Sequence, residues 1–179
     1  MTRRSRSTGD LSDDWREFLS LLISRRVRFV VVGGHAVAVH ARPRFTKDLD
    51  VYVDQTPQNA RRLLSVLEDF GFGKVGLKTA DLETPDKVVM LGVAPQRIDV
   101  LTGITGVRFA EAWRKRVRVR TSAGVIPVLS RDLLIRNKRA AARPQDLADL
   151  SMLGDPKRTR ARPKSAGSAR RVAPAQPKR

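Results

Sequence analysis

Residues 42–54 read RPRFTKDLDVYVD. From Leu49 to Val53 the pattern is that of a β-strand entering a core, yet Asp48 and Asp50 stand on either side of Leu49. Side chains alternate across a strand, so the two carboxylates share one face, about 7 Å apart. An unpaired carboxylate facing a core is costly. Two sources of positive charge are open: the side chains of Arg42, Arg44 and Lys47, or a metal ion.

The flanking sequence bears on that choice. Upstream, VRFVVV at residues 27–32 reads as a buried strand, broken by Gly33-Gly34 and followed by the short helix pattern HAVAVHA. Glycines let backbone N–H groups approach a phosphate, and a helix N-terminus adds positive potential. The glycines do not form G-x-G-x-x-G, so no dinucleotide fold is inferred. Downstream, RIDVL at residues 97–101 reads as a strand carrying Asp99. If this strand lies beside the first, at about 4.8 Å, the carboxylates of Asp48, Asp50 and Asp99 converge. Three clustered carboxylates repel one another unless a cation neutralises them. Hard oxygen ligands with open positions suit Mg²⁺ or Mn²⁺ held together with substrate phosphates.

The remaining pattern predicts an α/β chain. Ser12 caps a helix whose apolar stripe is Trp15, Phe18, Leu19, Leu22 and Ile23. Thr56-Pro57 opens a second helix, closed by Gly71. Residues 78–86, KTADLETPD, read as a loop. KVVMLGV and RIDVLTG read as a strand pair, Phe109 and Trp113 share a short helix, and VRVRT turns through SAG into VIPVL. A helix from Ser130 to Ala141 stops at Arg143-Pro144, and a last one runs from Asp146 to Leu153. Lys138 falls on a partly apolar face, where a snorkelling surface lysine is the simple expectation. Asp146 suits an N-cap, with Asp149 then facing elsewhere. Arg97 shares a strand face with Asp99, where it either meets a phosphate or pairs with that carboxylate, and the pair is the favoured expectation.

Taken in order, VVGGHAVAVH, RFTKDLDVYV and RIDVLTGI resemble the glycine, DxD and third-Asp motifs of the DNA polymerase β-type nucleotidyltransferase superfamily. LSRDLLIRNKRAAARPQDLADL is similar to the closing Lys…Arg…Asp helix motif of small nucleotidyltransferases, including AbiEii-like toxins of toxin–antitoxin systems. The resemblance covers residues 27–153. It implies a nucleotidyltransferase fold, a small mixed sheet flanked by helices on one side, in a single domain. It also implies transfer of NMP from an NTP to an acceptor hydroxyl, with an RNA or tRNA end favoured. Gly33 and Gly34 would hold the triphosphate, Asp48 and Asp50 would bind Mg²⁺ or Mn²⁺, and Asp99 would complete the metal site. Lys138 would reach the phosphates, supported by Asp146. A toxin role with an antitoxin partner is part of the same implication. A non-catalytic nucleic-acid-binding or toxin–antitoxin component of the same fold is the alternative. Many members carry Gly-Ser where this chain has Gly33-Gly34, so one potential phosphate-binding hydroxyl is missing.

Composition sets outer bounds. With 179 residues, 41% of them hydrophobic, the chain has material for one core. It contains no Cys, which excludes a disulfide framework and thiolate-bound zinc. His35 and His40 lack further ligand types around them and do not suggest zinc. No apolar run suits a secretion signal or a membrane span, so a soluble, cytoplasmic protein is expected. The net charge is +18. Residues 155–179 hold nine Lys or Arg against Asp155 alone, and residues 1–10 hold Arg3, Arg4 and Arg6. Both ends read as basic disordered segments around a domain spanning residues 11–154. That domain is itself basic, with a ridge from Arg114 through Lys115, Arg116 and Arg118 to Arg120. The ridge either tracks a phosphate backbone or guards a sheet edge.

Overall fold

In the computed structural model, which describes residues 11–42, 45–74 and 76–155, the expected strands form a single six-stranded sheet. Its strands are β1 (Phe29–Val31), β2 (Asp48–Val53), β3 (Val88–Leu91), β4 (Arg97–Leu101), β5 (Val117–Thr121) and β6 (Gly124–Val128). Their spatial order is β3-β4-β2-β1-β6-β5. The sheet is mixed. β2 runs antiparallel to β1 and parallel to β4, β6 runs parallel to β1, and the hairpins β3–β4 and β5–β6 form the two edges.

The register of β2 and β4 places the chemistry. Asp48 pairs with Arg97, Asp50 with Asp99 and Tyr52 with Leu101, so these six side chains share one face. Leu49, Val51, Ile98 and Val100 point to the other face and are buried. Helices were expected on one side of the sheet, but both faces are covered. On the aspartate face, the far end of β2 is closed by α5 (Phe109–Arg114): Tyr52 packs edge-on against Phe109, and its hydroxyl donates to the Val107 carbonyl at 3.2 Å. The apolar side of α5 has to be buried somewhere, and the Tyr52 end of that face is where it goes. The Asp48 end is left open as a cleft.

Local chemistry accounts for the helices. α1 (Asp13–Ser24) starts where the Ser12 hydroxyl accepts the Trp15 N–H at 3.3 Å, with Asp13 and Asp14 at the positive end of the helix dipole. It buries Trp15, Phe18, Leu19 and Leu22 and leaves Ile23 exposed. α2 (Gly33–His40) includes the two glycines in its first turn instead of following them. α3 (Pro57–Leu67) begins after Thr56 and runs on as a wider turn, Glu68–Phe72, that contains Gly71 at φ +93°. The segment expected as a loop contains α4 (Thr79–Glu83). One buried residue, Leu82, anchors it, and the Asp81 carboxylate accepts the Lys78 N–H at 2.8 Å. α6 (Arg131–Ala141) and α7 (Pro144–Met152) meet at Ala142, which takes a left-handed conformation, φ +51°.

The described residues share one hydrophobic core. Asp155, expected in the basic tail, belongs instead to the folded domain. It is buried, and its carboxylate accepts from Arg139 Nε at 2.7 Å and also from the Arg139 terminal amine. Arg118 and Arg120 are exposed on β5, an edge strand, on the side away from Val119. The expected disorder of residues 1–10 and 156–179 falls outside the described residues.

Asn59 joins three elements. Its side chain is buried in α3, accepts the Arg28 N–H at 2.7 Å, and donates to the carbonyls of Arg28 at 3.0 Å and Asp54 at 2.8 Å. Asn59→Ala strands buried backbone groups at the start of β1 and the end of β2. It should lower unfolding free energy by about 3 kcal/mol in a urea titration. Asn59→Asp should be no better, because a carboxylate cannot donate the two lost bonds.

Candidate active site

The parallel pairing of β2 with β4 brings Asp48, Asp50 and Asp99 onto one patch of the sheet. Burial pushes the Asp50 carboxyl up to about 6, the charges of Asp48 and Asp99 push it the same way, and Lys138 and Arg143 oppose them. The three carboxylates therefore feel one another, as their shared face requires.

A cation already stands among them. Arg97 Nε donates to Asp99 Oδ1 at 2.7 Å, and Nη2 donates to Asp99 Oδ2 and Asp48 Oδ2, each at 2.8 Å. The pairing with Asp99 agrees with the alternation of the strand; the reach to Asp48 depends on the neighbouring strand. No three His, Asp or Glu side chains among the described residues are arranged to hold a metal ion together. The donor chemistry nevertheless fits a hard divalent cation: three carboxylates from adjacent strands, one of them held neutral to an unusually high pH by burial first and by the charges of the other two second.

Beside Asp50 lies the turn from β1 into α2. Gly33 has φ +59°, and a Cβ there would overlap Asp50 Oδ2, with Asp50 Cγ 2.7 Å away. Position 33 is thus restricted to glycine by backbone conformation and by the carboxylate together. The N-cap residue of α2, Val32, makes no side-chain cap bond, and the positive end of the helix lies at the cleft, where it suits an anion. Gly33 and Gly34 line that cleft with Asp48, Asp50, Asp99 and Arg97.

The opposite wall comes from the junction of α6 and α7. Lys138 is buried there, with Nζ 2.7 Å from Asp146 Oδ1 and 2.9 Å from Asp149 Oδ2. It is not the exposed, snorkelling lysine suggested by its helix face. Asp149 does not face elsewhere either: three residues after Asp146 on one helix, it faces the same ammonium. Burial pushes Asp146 up, but hydrogen bonds from Arg143 and Lys138 outweigh it and hold the carboxyl below its usual range. Arg143 Nε donates to Asp146 Oδ2 at 2.8 Å, and its side chain is mostly exposed at the cleft. In the sequence Arg143 marks only a helix stop; its position at the entry of α7, three residues before Asp146, is the signal for a place at the cleft. The cleft continues past Lys138 to Val88, Leu101, Ile104 and Asn137.

The histidines are structural neighbours of the site. His35 Nε2 lies 3.0 Å from Thr46 Oγ1, and its ring meets Trp15 edge-on at 4.8 Å. Burial holds its pKa below the usual value, against the opposing pull of Asp48, so it is neutral at pH 7. His40 Nε2 lies 2.7 Å from the Leu129 carbonyl.

A mixed sheet that sets aspartates from two adjacent strands beside a glycine turn has the architecture of a nucleotidyltransferase fold. Over residues 14–153 the chain matches the family described as "Nucleotidyltransferase of unknown function (DUF6036)", and it belongs to that family. Membership carries the general chemistry of the class, nucleotidyl transfer, and with it a nucleotide substrate. None of the curated proteins compared with the chain matches it. No helix among the described residues is long and apolar enough to cross a membrane.

Two outcomes follow from the geometry. The Asp50 carboxyl is protonated more readily in the folded chain than in the unfolded one, so its ionisation destabilises the metal-free fold as pH rises from about 4 to about 6. In chelator, Asp50→Asn should therefore be more stable than the wild type at pH 8, by about 2–3 kcal/mol, and the gain should vanish near pH 4. Gly33→Ala should be destabilising at every pH, because it forces both a left-handed alanine and a displaced Asp50. Calorimetry across pH separates the two variants.

Proposed function

We propose that the chain is a metal-dependent nucleotidyltransferase of the DNA polymerase β-type superfamily, of the AbiEii-like group, that moves NMP from an NTP to an acceptor hydroxyl. The observation that carries this reading is the register Asp50–Asp99 beside Asp48, directed at a turn where only glycine fits. Asp48, Asp50 and Asp99 would hold Mg²⁺ or Mn²⁺. When bound, such an ion neutralises the carboxylates and the substrate phosphates and favours the deprotonated acceptor oxygen.

The chain's own groups take the remaining tasks. The N–H groups at Gly33 and Gly34 receive phosphate oxygens at the positive end of α2. Arg143, extended at the cleft, supplies charge to the leaving pyrophosphate. Lys138, fixed between Asp146 and Asp149, holds the α6–α7 wall and contributes positive potential to the cleft. The acceptor oxygen attacks the α-phosphorus, the bond to the β-phosphate breaks, pyrophosphate leaves, and the acceptor proton passes to a carboxylate, for which Asp99 is our assignment. The basic surface favours an RNA acceptor such as a tRNA end, and a toxin held by an antitoxin protein accords with the resemblance of the α6–α7 motif. Arg118 and Arg120 lie on β5, separated from β2 by β6 and β1, so they suit the body of a nucleic acid more than its reacting end.

Incubation with α-labelled NTPs, Mg²⁺ or Mn²⁺, and total RNA tests the reading. Label should enter RNA, and Asp99→Asn should reduce incorporation to background while leaving the melting profile cooperative. Binding of RNA by the wild type with no label transferred under either metal would favour a non-catalytic nucleic-acid-binding role.

A further inference from the structure

Arg97 presents a conflict that the proposed function has to resolve. The carboxylates that would hold a divalent ion are Asp48, Asp50 and Asp99, and Arg97 occupies both oxygens of Asp99 and one of Asp48. A guanidinium and a divalent cation cannot share these oxygens at full strength, and they repel each other at short range. Arg97 is anchored by the pairing of its backbone with Asp48 in β2, so its main chain stays in the sheet and only the side chain is free to move. That side chain is 33% exposed, which leaves it a way out toward the cleft. The same cleft is lined by the glycine turn, where the phosphates of an NTP would lie. Guanidinium forks bind phosphate as readily as carboxylate, two hydrogen bonds at a time.

We propose that Arg97 is an exchangeable counter-cation: it neutralises Asp48 and Asp99 until a divalent ion replaces it, and it then pairs with the phosphates of the bound NTP. The inference rests on the metal-site reading above and adds a coupling to it. A metal ion alone has to displace Arg97 with nothing to receive the guanidinium. A metal ion arriving with NTP brings both the replacement charge and the new partner. Metal and nucleotide should therefore bind with positive cooperativity, and that coupling should pass through Arg97.

The test measures Mn²⁺ binding to the full chain, by the free-ion electron paramagnetic resonance signal, with and without a non-hydrolysable NTP analogue. In wild type, Mn²⁺ alone should bind weakly and the analogue should tighten it. Arg97→Gln should bind Mn²⁺ alone more tightly, by about tenfold, and the analogue should add little. Arg97→Lys, which keeps one charge but loses the fork, should fall between them. If the wild type binds Mn²⁺ and Asp50→Asn does not, while Arg97→Gln binds no more tightly than wild type, the exchange is wrong and the metal site stands. If neither wild type nor Arg97→Gln binds Mn²⁺ with or without nucleotide, the metal site fails and the exchange with it. A measurement on the unmodified chain guards against a folding defect in the variants: the Arg97 Nε–H resonance should move to a new position, reporting its change of partner, as Mg²⁺ and analogue are added together. A resonance unmoved at saturating ligand would overturn the proposal.

Discussion

The guanidinium of Arg97, bonded to Asp48 across one strand boundary and to Asp99 along its own strand, lets three carboxylates occupy one patch of a folded sheet. Without positive charge, Asp48, Asp50 and Asp99 would raise one another's proton affinity and oppose the parallel pairing of β2 with β4. Burial raises the Asp50 pKa to about 6, and the charges of Asp48 and Asp99 push it in the same direction. The surrounding structure is arranged to limit that repulsion: Arg97 stands at one side of the patch, while Lys138 and Arg143 act from the other.

This arrangement resolves the tension in the stretch around Asp50. A strand optimised for stability would put an apolar residue at position 50, because Leu49, Val51 and Val53 are fully buried on the opposite face. The aspartate face is closed where Tyr52 meets Phe109 and open where Asp48 and Asp50 begin the strand. The change from packed to open along six residues of β2 separates the part of the sheet that stabilises the fold from the part that performs chemistry.

The α6–α7 junction follows the same logic in reverse. There a lysine is buried with two aspartates, an arrangement that contributes little net stability compared with an apolar replacement but is damaging to break. Its value is positional. Lys138, Asp146 and Asp149 fix the angle between two helices whose junction residue, Ala142, is in a left-handed conformation, and they carry Arg143 to the edge of the cleft. The wall opposite the carboxylates is thereby held by charge pairs, of which Arg143 is the member exposed at the cleft.

Much of this was legible in the sequence, and the reasons are local. Period-two alternation identified β2 and β4 and put Asp48 and Asp50 on one face, since the geometry of a strand allows nothing else. The Ser12 cap, the Thr56-Pro57 entry and Gly71 marked helix ends through their own backbone chemistry. Single-residue anchors were not legible: Leu82 makes a helix out of a polar segment, and Asp155 is fixed to the fold by Arg139. Nor was it visible that Arg97 holds Asp48, that Asp149 faces Lys138, or that Gly33 is confined by Asp50. Each of these joins residues that sequence spacing does not relate, or relates only ambiguously. The sequence determined which residue types face which side of each element. Only the tertiary structure decided which charges meet, because strand order and helix angle, which no local pattern encodes, set the distances on which electrostatic energy depends.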